Sequence, residues 1–226
     1  MISIQKLNKS FGSKKVLNDI NIEFVKGKVY GIVGQNGAGK STLFNIISGL
    51  ESFNGIIQSD LTPLKNHLGF LQTNPFFFPK ITGREYLQLH LNARNIKEIN
   101  IDESNIFDLP LNQYAQSYST GMKKKLALTA VLIQQSDIYI LDEPYNGVDI
   151  HSNMIITEII QKLKSIGKTV LISSHIFSTL KDTCDEIHLL HEGHFKKSVD
   201  HSEFDLLEQE MIEFTTGSII DRLNLK

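Results

Sequence analysis

The sequence is poor in cysteine and has no long apolar run, and these two absences exclude whole classes of protein. Cys184 is the one cysteine among 226 residues, so the chain has no internal disulfide and suits a reducing compartment. We expect its side chain to be small and buried. No apolar run approaches the ~20 residues that cross a bilayer. Residues 1–7 alternate like an exposed strand, which predicts no signal peptide. A function at a membrane would therefore need a second chain to supply the span.

The charge balance gives little reason to expect a nucleic-acid partner. Lysine and arginine number 23 against 25 aspartates and glutamates, for a formal net charge of −2. A chain with this balance has no general electrostatic attraction to DNA, RNA or an anionic lipid surface. Its 41% hydrophobic and 21% charged residues are ordinary for a globular protein with a buried core. We therefore expect a globular chain that binds no nucleic acid.

Strand-like and helical patterns alternate along much of the chain. Continuous apolar runs indicate buried strands, and apolar residues three or four apart indicate helices between them. The buried strands are predicted at 29–33, 138–141, 169–172 and 187–190, with helices near 41–50, 151–165 and 176–183 and a mostly helical stretch over 83–135. This alternation predicts an α/β fold with a mostly parallel sheet covered by helices.

A glycine-rich loop follows the strand at 29–33. It reads Gly34-Gln35-Asn36-Gly37-Ala38-Gly39-Lys40-Ser41-Thr42 and fits the P-loop pattern G-x-x-x-x-G-K-[ST] between a strand and a helix. Its glycines let backbone N–H groups form an anion-binding nest at a helix N-terminus. Lys40 would reach the β- and γ-phosphates, and the Ser41 hydroxyl would ligate Mg²⁺. An ordinary glycine-rich turn is the alternative, and the strand–loop–helix setting disfavours it.

Two carboxylates end the strand at 138–141. In a P-loop protein an aspartate at the tip of a neighbouring strand holds Mg²⁺, and Asp142 takes that place. Glu143 is then positioned to polarise the attacking water as a general base. Acidic residues also begin many ordinary loops, so this interpretation depends on the P-loop beside it. The pair predicts hydrolysis of a bound nucleotide.

The order of these motifs resembles the ATP-binding subunits of ABC transporters over about residues 1–200. Tyr118-Ser119-Thr120-Gly121-Met122-Lys123 is similar to the family signature, usually L-S-G-G-Q, in a variant like that of drug- and lantibiotic-export ATPases. Ser119 lies 23 residues before Asp142, as the family pattern requires. Asn146-Gly147-Val148-Asp149 resembles the D-loop. His175, 32 residues after Glu143, resembles the switch histidine, and Phe11 matches the aromatic that stacks on adenine.

The resemblance implies a role for each match. The signature residues Ser119, Thr120, Gly121 and Met122 would face the γ-phosphate held by another subunit, with Ser119 as a helix N-cap. His175 would contact the γ-phosphate and hold the attacking water in place. Phe11 lacks the hydroxyl of the usual tyrosine, which stacking does not require. Taken alone, these residues have ordinary alternatives as a capped helix, a core histidine and a core phenylalanine.

One loop departs from the family pattern. The family has a glutamine near the magnesium ion and the membrane partner, four residues after a glycine. Counting from Gly69 places Thr73 at that position, with Gln72 one residue early. Either Gln72 reaches the nucleotide and the metal through a shifted loop, or Thr73 takes its place.

The resemblance also implies an architecture and partners. The fold would be a P-loop NTPase core with an N-terminal antiparallel β part and a helical signature subdomain. The core lobe would cover about 1–74 and 136–200, the helical subdomain about 75–135, and a peripheral segment about 201–226. Two copies, or one copy and a related ATPase subunit, would pair head-to-tail around ATP and Mg²⁺. A separate multi-span permease would hold the pair at the cytoplasmic face of the cell membrane.

Two other function classes are alternatives to an ABC transporter subunit. A soluble ABC-type ATPase acting on ribosomes or DNA is the alternative to the transporter subunit, although this chain has one ATPase unit and no coiled-coil insertion. A GTPase or small-molecule kinase leaves the signature and His175 unexplained, and no N-K-x-D motif is present.

Two short runs of identical residues, one of lysine and one of phenylalanine, lie near these motifs. The lysine run 123–125 is interpreted as a solvated helix face. In Phe76-Phe77-Phe78 at least one ring should be exposed, because neighbours on an extended chain point to opposite sides. An exposed ring would mark a partner site, and the alternative is that the rings pack under the insertion and anchor it.

Overall fold

Nine strands and six α-helices form the part of the chain that the computed structural model describes, residues 1–216. The strands are β1 (Ile2–Phe11), β2 (Lys14–Phe24), β3 (Val29–Val33), β4 (Asn54–Ser59), β5 (Leu68–Leu71), β6 (Ile138–Asp142), β7 (Thr169–Ser174), β8 (Glu186–His191) and β9 (His194–Asp200). The helices are α1 (Lys40–Ile47), α2 (Gly83–Ala93), α3 (Thr120–Leu132), α4 (Ile150–Ser165), α5 (Ser178–Lys181) and α6 (Phe204–Thr216).

The main sheet has six strands in the order β5-β6-β7-β3-β8-β9. All neighbours are parallel except β8 and β9, which form an antiparallel hairpin. Every residue of β3, β6 and β7 is buried, as expected for strands covered on both faces. Since the carboxyl ends of parallel strands share one edge, the segments after β3, β5, β6 and β7 converge there.

A second sheet confirms the predicted antiparallel part. Its three strands have the order β2-β1-β4, and both pairings are antiparallel. Its buried residues join those of α1 and the adjoining face of β3 in one core that includes Leu7, Leu17, Phe24 and Phe44. The P-loop therefore lies between two sheets that are packed around the same helix.

The helical insertion lies between β5 and β6 and is less helical than the sequence predicts. Regular helix is confined to α2 and α3, and residues 94–119 contain only a short 3₁₀ turn at Ala115–Ser117. Polar side chains in this stretch bond to nearby backbone: Asn100 accepts from the Asp102 N–H, and Asn105 accepts from the Leu109 N–H. Such local bonds compete with a helix. The prediction of a mostly helical 83–135 is therefore wrong over its middle.

One large core joins the insertion to the main sheet. It contains Tyr86 and Leu87 of α2, Leu126 of α3, and Leu141 and Ile172 of the sheet. Cys184 is buried in the same core, as predicted, and burial raises the pKa of its thiol to about 12.

The C-terminal segment contains α6, which packs Phe204 and Leu207 into this core. Within the predicted segment 201–226, residues 201–203 form a 3₁₀ turn and α6 extends as far as residue 216. The remainder of the segment, 217–226, lies outside the described residues.

Over the stretch that the structure covers, we find no helix with both the length and the apolar character needed to cross a membrane.

Candidate nucleotide-binding site

The glycine-rich loop turns the chain from β3 into α1, as its pattern predicts. Gly39 has a φ of 111°, and a Cβ at this position would lie 2.7 Å from Leu17 Cδ2. Glycine alone fits this left-handed backbone and this space without strain. No side chain among the described residues caps α1, so its first N–H groups remain for an anion.

The Lys40 ammonium is buried at the base of this loop. It donates hydrogen bonds to the Gly34 carbonyl at 2.7 Å and the Gln35 carbonyl at 3.3 Å. It also lies 3.4 Å from Glu143 Oε1. The cation is therefore held between the loop that carries it and the end of β6, where two phosphate groups of a nucleotide would meet it.

Asp142 ends β6 with both carboxylate oxygens engaged by hydroxyl groups. Thr73 Oγ1 donates to Asp142 Oδ2 at 2.5 Å, and Ser173 Oγ donates to Asp142 Oδ1. Thr73 follows β5 and Ser173 lies in β7, the two strands that flank β6. The parallel register thus delivers all three side chains to one edge of the sheet.

Glu143 follows directly and has an unusual backbone. Its φ is 52°, in the left-handed region that non-glycine residues rarely adopt. Its N–H donates to Ser173 Oγ at 3.0 Å, and its Oε2 lies 2.8 Å from His175 Nδ1. The backbone conformation and these two bonds hold the carboxylate between Lys40 and His175. Strained geometry of this kind is common at catalytic positions.

A cavity of about 520 Å³ opens beside these groups. Among the predicted residues it is lined by Phe11, Asn36, Gly37, Gly39, Lys40, Ser41, Thr42, Thr73, Glu143 and His175. Asn146 of the segment that resembles the D-loop also lines it, as do Lys14 and Val16, which were not predicted. The cavity thus brings together side chains that are up to 164 positions apart in the sequence, from Phe11 to His175.

Phe11 forms one end of this cavity. Its side chain is 49% exposed, so it is not a core phenylalanine. The Lys9 ammonium lies 4.6 Å from the ring centroid. An exposed ring at a cavity wall is a surface on which a flat aromatic group can stack.

The loop after β5 places Thr73, and not Gln72, at the phosphate cavity. Gln72 lines a separate groove of about 370 Å³ with Phe76, Phe78 and Leu89. Successive residues of an extended segment point to opposite sides, so one of the two faces the cavity and the other faces away. In this structure Thr73 therefore lines the phosphate cavity and Gln72 lines the groove, and the role of either residue at a nucleotide or metal stays a prediction.

The signature residues lie away from this cavity. Ser119 is the N-cap of α3, and its hydroxyl accepts a hydrogen bond from the Met122 N–H at 3.2 Å. A Cβ on Gly121 would lie 2.8 Å from the Gly147 carbonyl, so the signature packs closely on the D-loop. Residues 119–122 do not appear among the described residues that line the phosphate cavity.

Asp149 has a structural role in this conformation. Its carboxylate caps α4 through the Ser152 N–H at 2.9 Å and accepts from Lys125 Nζ at 2.7 Å. These hydrogen bonds hold the pKa of Asp149 well below its usual range, with the largest effect from Lys125 and the next from Ser152. The charged carboxylate thus ties α3 to the start of α4.

Lys124 is a buried residue that the sequence interpretation missed. The lysine run 123–125 was expected to be solvated, yet the Lys124 side chain is 4% exposed. It donates to the Thr73 carbonyl at 2.9 Å and the Asp142 carbonyl at 3.2 Å. Burial lowers the pKa of Lys124 to about 8, while Asp142 and Glu143 raise it. Helical spacing could have predicted this burial, because Lys124 lies three, four and seven residues before Ala127, Leu128 and Val131, which are all buried.

The oxygen donors of the cavity fit a magnesium ion bound with a nucleotide. Mg²⁺ is usually held by one or two carboxylates, water and substrate phosphates, and not by a full set of protein ligands. The described residues contain no group of three or more histidines, cysteines, aspartates or glutamates arranged to hold a metal. Asp142 supplies a buried carboxylate, and the Ser41 hydroxyl lines the cavity.

Comparison with known proteins agrees with this geometry. A family model described as ABC transporter matches residues 17–146, more than half of the chain. The bacitracin transport ATP-binding protein BcrA of Enterococcus faecalis is 31% identical, over 95% of this chain and 74% of its own length. The lantibiotic transport ATP-binding protein SrtF of Streptococcus pyogenes is 34% identical, over 90% and 93%.

Solved structures have the same fold. An ATP-binding subunit of an ABC transporter superposes with a TM-score of 0.82 at 25% identity, covering 96% of this chain and all of that one. A dimeric ATP-binding cassette bound to ADP and Pi superposes with a TM-score of 0.79 at 21% identity, over 89% of this chain and 99% of its own, which supports the fold alone. The family match and the two relatives establish the identity: the chain belongs to the ABC transporter family and is one of its ATP-binding subunits.

Proposed function

We propose that this subunit powers a membrane exporter by hydrolysing Mg-ATP in the 520 Å³ cavity. The observation that carries the proposal is the meeting of the P-loop, Glu143 and His175 around that cavity. The relatives named for bacitracin and lantibiotic transport support an export role. Their names give no support to the alternative of a soluble ATPase that acts on ribosomes or DNA.

ATP binding depends on the loop and its lysine. The N–H groups of the loop and of the first turn of α1 receive the phosphate oxygens, and residues 34–42 wrap the β-phosphate. Lys40 turns from the Glu143 carboxylate to the β- and γ-phosphates, a charge-assisted contact that is stronger than its present carbonyl bonds. Phe11 stacks on the adenine.

The metal is held by this chain through two oxygen donors. Ser41 and Asp142 are the proposed ligands, and Thr73 and Ser173 orient the Asp142 carboxylate through their hydroxyl groups. When bound, Mg²⁺ neutralises charge on the phosphate oxygens. Gln72 has no part in this proposal, because it faces the groove.

Hydrolysis uses Glu143 as the base. Water attacks the γ-phosphorus in line with the bond to the β-phosphate oxygen, and its proton passes to the Glu143 carboxylate. ATP and water thus give ADP, inorganic phosphate and a proton. His175 holds Glu143 at 2.8 Å and reaches the γ-phosphate with the rest of its half-exposed ring.

Two copies complete the site. The chain divides into a core lobe (about 1–74 and 136–200), a helical lobe (about 75–135) and a peripheral segment (about 201–226). Ser119, Thr120, Gly121 and Met122 lie outside their own cavity, at the N-terminus of α3. In a head-to-tail pair they meet the γ-phosphate of the other copy, where helix N–H groups stabilise its charge. The second ATPase is another copy or a related chain.

The permease docks in the groove beside the Thr73 loop. Phe77 is buried against Tyr86 at 4.6 Å between ring centroids, whereas Phe76 and Phe78 remain 66% and 51% exposed. The prediction that at least one ring is exposed is thereby confirmed. Two exposed rings beside an apolar groove fit a short helix of a membrane subunit, which would place this chain at the cytoplasmic face of the membrane.

Co-fractionation tests the proposal. Tagged wild-type chain expressed in its native cell should sediment with membranes, and Phe76→Ser with Phe78→Ser should shift it to the soluble fraction with its ATPase activity retained. Leu50→Ser is the matched control, because Leu50 is equally exposed and does not line the groove. Recovery of the wild type with ribosomes, or membrane binding that survives the double substitution, would contradict the proposal.

A further inference from the structure

Lys124 contacts two segments beside its own helix α3: the loop after β5 and the end of β6. Its ammonium donates to the Thr73 carbonyl at 2.9 Å and to the Asp142 carbonyl at 3.2 Å. A third carbonyl, that of Gln72, lies at 3.4 Å. One side chain of α3 therefore holds the loop after β5 and the end of β6 together.

These contacts form a closed ring with the carboxylate of Asp142. Lys124 donates to the Thr73 carbonyl, and the Thr73 hydroxyl donates to Asp142 Oδ2 at 2.5 Å. The Asp142 backbone carbonyl closes the ring by accepting a hydrogen bond from Lys124. A shift of α3 that carries Lys124 along must therefore stretch a bond to Thr73 or to Asp142. Networks of buried bonds have few alternative arrangements, so such a shift is transmitted.

The ring also balances charge beneath the phosphate cavity. Four ionisable side chains are buried together here: Lys40, Lys124, Asp142 and Glu143. Two carry positive charge and two carry negative charge. Without Lys124 the group would keep an excess carboxylate, and an uncompensated buried charge is costly.

We propose that Lys124 is a positioning residue that couples the signature helix α3 to the phosphate cavity by fixing Thr73 and Asp142. The proposal rests on the roles proposed above for Asp142 and Glu143 in hydrolysis. Lys124 is not among the described residues that line the phosphate cavity, so we expect its effect on the rate of the chemical step. ATP affinity depends on the P-loop, which Lys124 does not contact.

Lys124→Met removes the charge and the donors and keeps the unbranched side chain up to the ε position. We expect kcat to fall by about 10- to 100-fold, since small misplacements of catalytic groups have effects of this size. The Kd for ATP should stay within about threefold of the wild-type value, because the substitution removes no contact that binds ATP in the ground state. Lys168→Met is the matched control, because Lys168 is half-buried, pairs with Asp137 and lies at the other end of β7.

A double-mutant cycle separates positioning from simple packing. Thr73→Val removes the hydroxyl bond to Asp142 with little change in shape and should also lower kcat. If Lys124 acts through Thr73, the double variant should lose no more kcat than Lys124→Met alone, because coupled residues are not additive. Losses that multiply would overturn the proposal, as would wild-type kcat in either single variant or an increase in Kd that accounts for the loss.

Lys124→Gln and Glu143→Gln separate failure of the positioning role from failure to fold and from failure of the proposed mechanism. If Lys124→Met does not fold, Lys124→Gln takes its place in the same cycle, since it keeps two N–H donors and ends one bond short of the carbonyls. Glu143→Gln is measured in parallel. Loss of turnover in Glu143→Gln with full turnover in the Lys124 variants refutes the positioning role alone. Full turnover in Glu143→Gln refutes the proposed mechanism itself.

Discussion

His188 makes the stability of this protein depend on pH in a range where most carboxylates do not titrate. The imidazole is buried between aromatic rings. Its centroid lies 5.9 Å from that of the Tyr30 ring, on which it stacks, and 5.6 Å from that of the Phe195 ring. Its Nδ1 lies 2.8 Å from Ser198 Oγ, and its Nε2 has no hydrogen-bond partner within the described part of the chain. A proton on Nε2 would therefore have no acceptor. Burial lowers the pKa of His188 to about 4, and Glu186 only partly opposes this shift.

The sign and size of the effect follow from this shift. The unfolded chain binds the proton below an ordinary pKa of about 6.5, whereas the folded chain does so only near pH 4. The stability that neutral His188 provides is therefore complete above pH 6.5 and is lost as the pH falls toward 4. Over the interval from 6.5 to 5 the loss is about 2 kcal/mol, at 1.36 kcal/mol for each pH unit. This corresponds to a decrease in Tm of roughly 4–8 °C for a domain of this size.

Urea unfolding followed by far-UV circular dichroism at pH 7 and pH 5 measures this difference. Nucleotide is left out, because a bound ligand would add its own stabilisation. His188→Phe is the matched variant, since it keeps an aromatic ring in the same cluster and cannot titrate. The difference between the two pH values should be about 2 kcal/mol smaller in His188→Phe than in the wild type. Equal differences in the two proteins would refute the argument, whatever their absolute stabilities.

Three further predictions concern the nucleotide site, the dimer and the core. Lys40→Ala should weaken ATP binding at least about tenfold through loss of a charge-assisted phosphate contact, and equal affinities by titration calorimetry would contradict this. Ser119→Asp keeps the N-cap of α3 but adds negative charge where the partner's γ-phosphate would lie, so it should prevent ATP-dependent dimerisation in gel filtration, whereas Ser119→Asn should not. A dimer of Ser119→Asp with normal ATP dependence would argue against the trans arrangement. Cys184 should resist iodoacetamide in the folded protein and react on unfolding, because burial raises the pKa of its thiol to about 12; rapid labelling of the native chain would show that the core opens.

The strands and loops of the phosphate cavity could be predicted because their signals are local. The structure has β3 at the predicted bounds Val29–Val33, and β6 ends at Asp142, one residue beyond the predicted run 138–141. Each depends on a continuous apolar run followed by glycine or a carboxylate. Parallel pairing then brings the strand ends together without further information, which is why Lys40 and Glu143 share one cavity as expected.

The parts that could not be predicted depend on contacts between distant segments. Thr73 is held at the cavity by a hydrogen bond from its hydroxyl to Asp142, 69 positions away. Lys124 is buried because three backbone carbonyls surround its ammonium, although a lysine run ordinarily indicates solvent. Ser173 carries no sequence signal of its own, yet its hydroxyl bonds both the Asp142 carboxylate and the Glu143 N–H.

The ATP turnover of Glu143→Gln tests the central claim most directly. The amide keeps the shape of the side chain and removes the base, so steady-state hydrolysis at saturating Mg-ATP should fall by about 10²–10⁴-fold. ATP affinity should be retained, because Lys40 and the P-loop are unchanged, and the variant should persist as an ATP-bound dimer in gel filtration. Wild-type turnover by Glu143→Gln would contradict the account and assign the base to another group of the cavity.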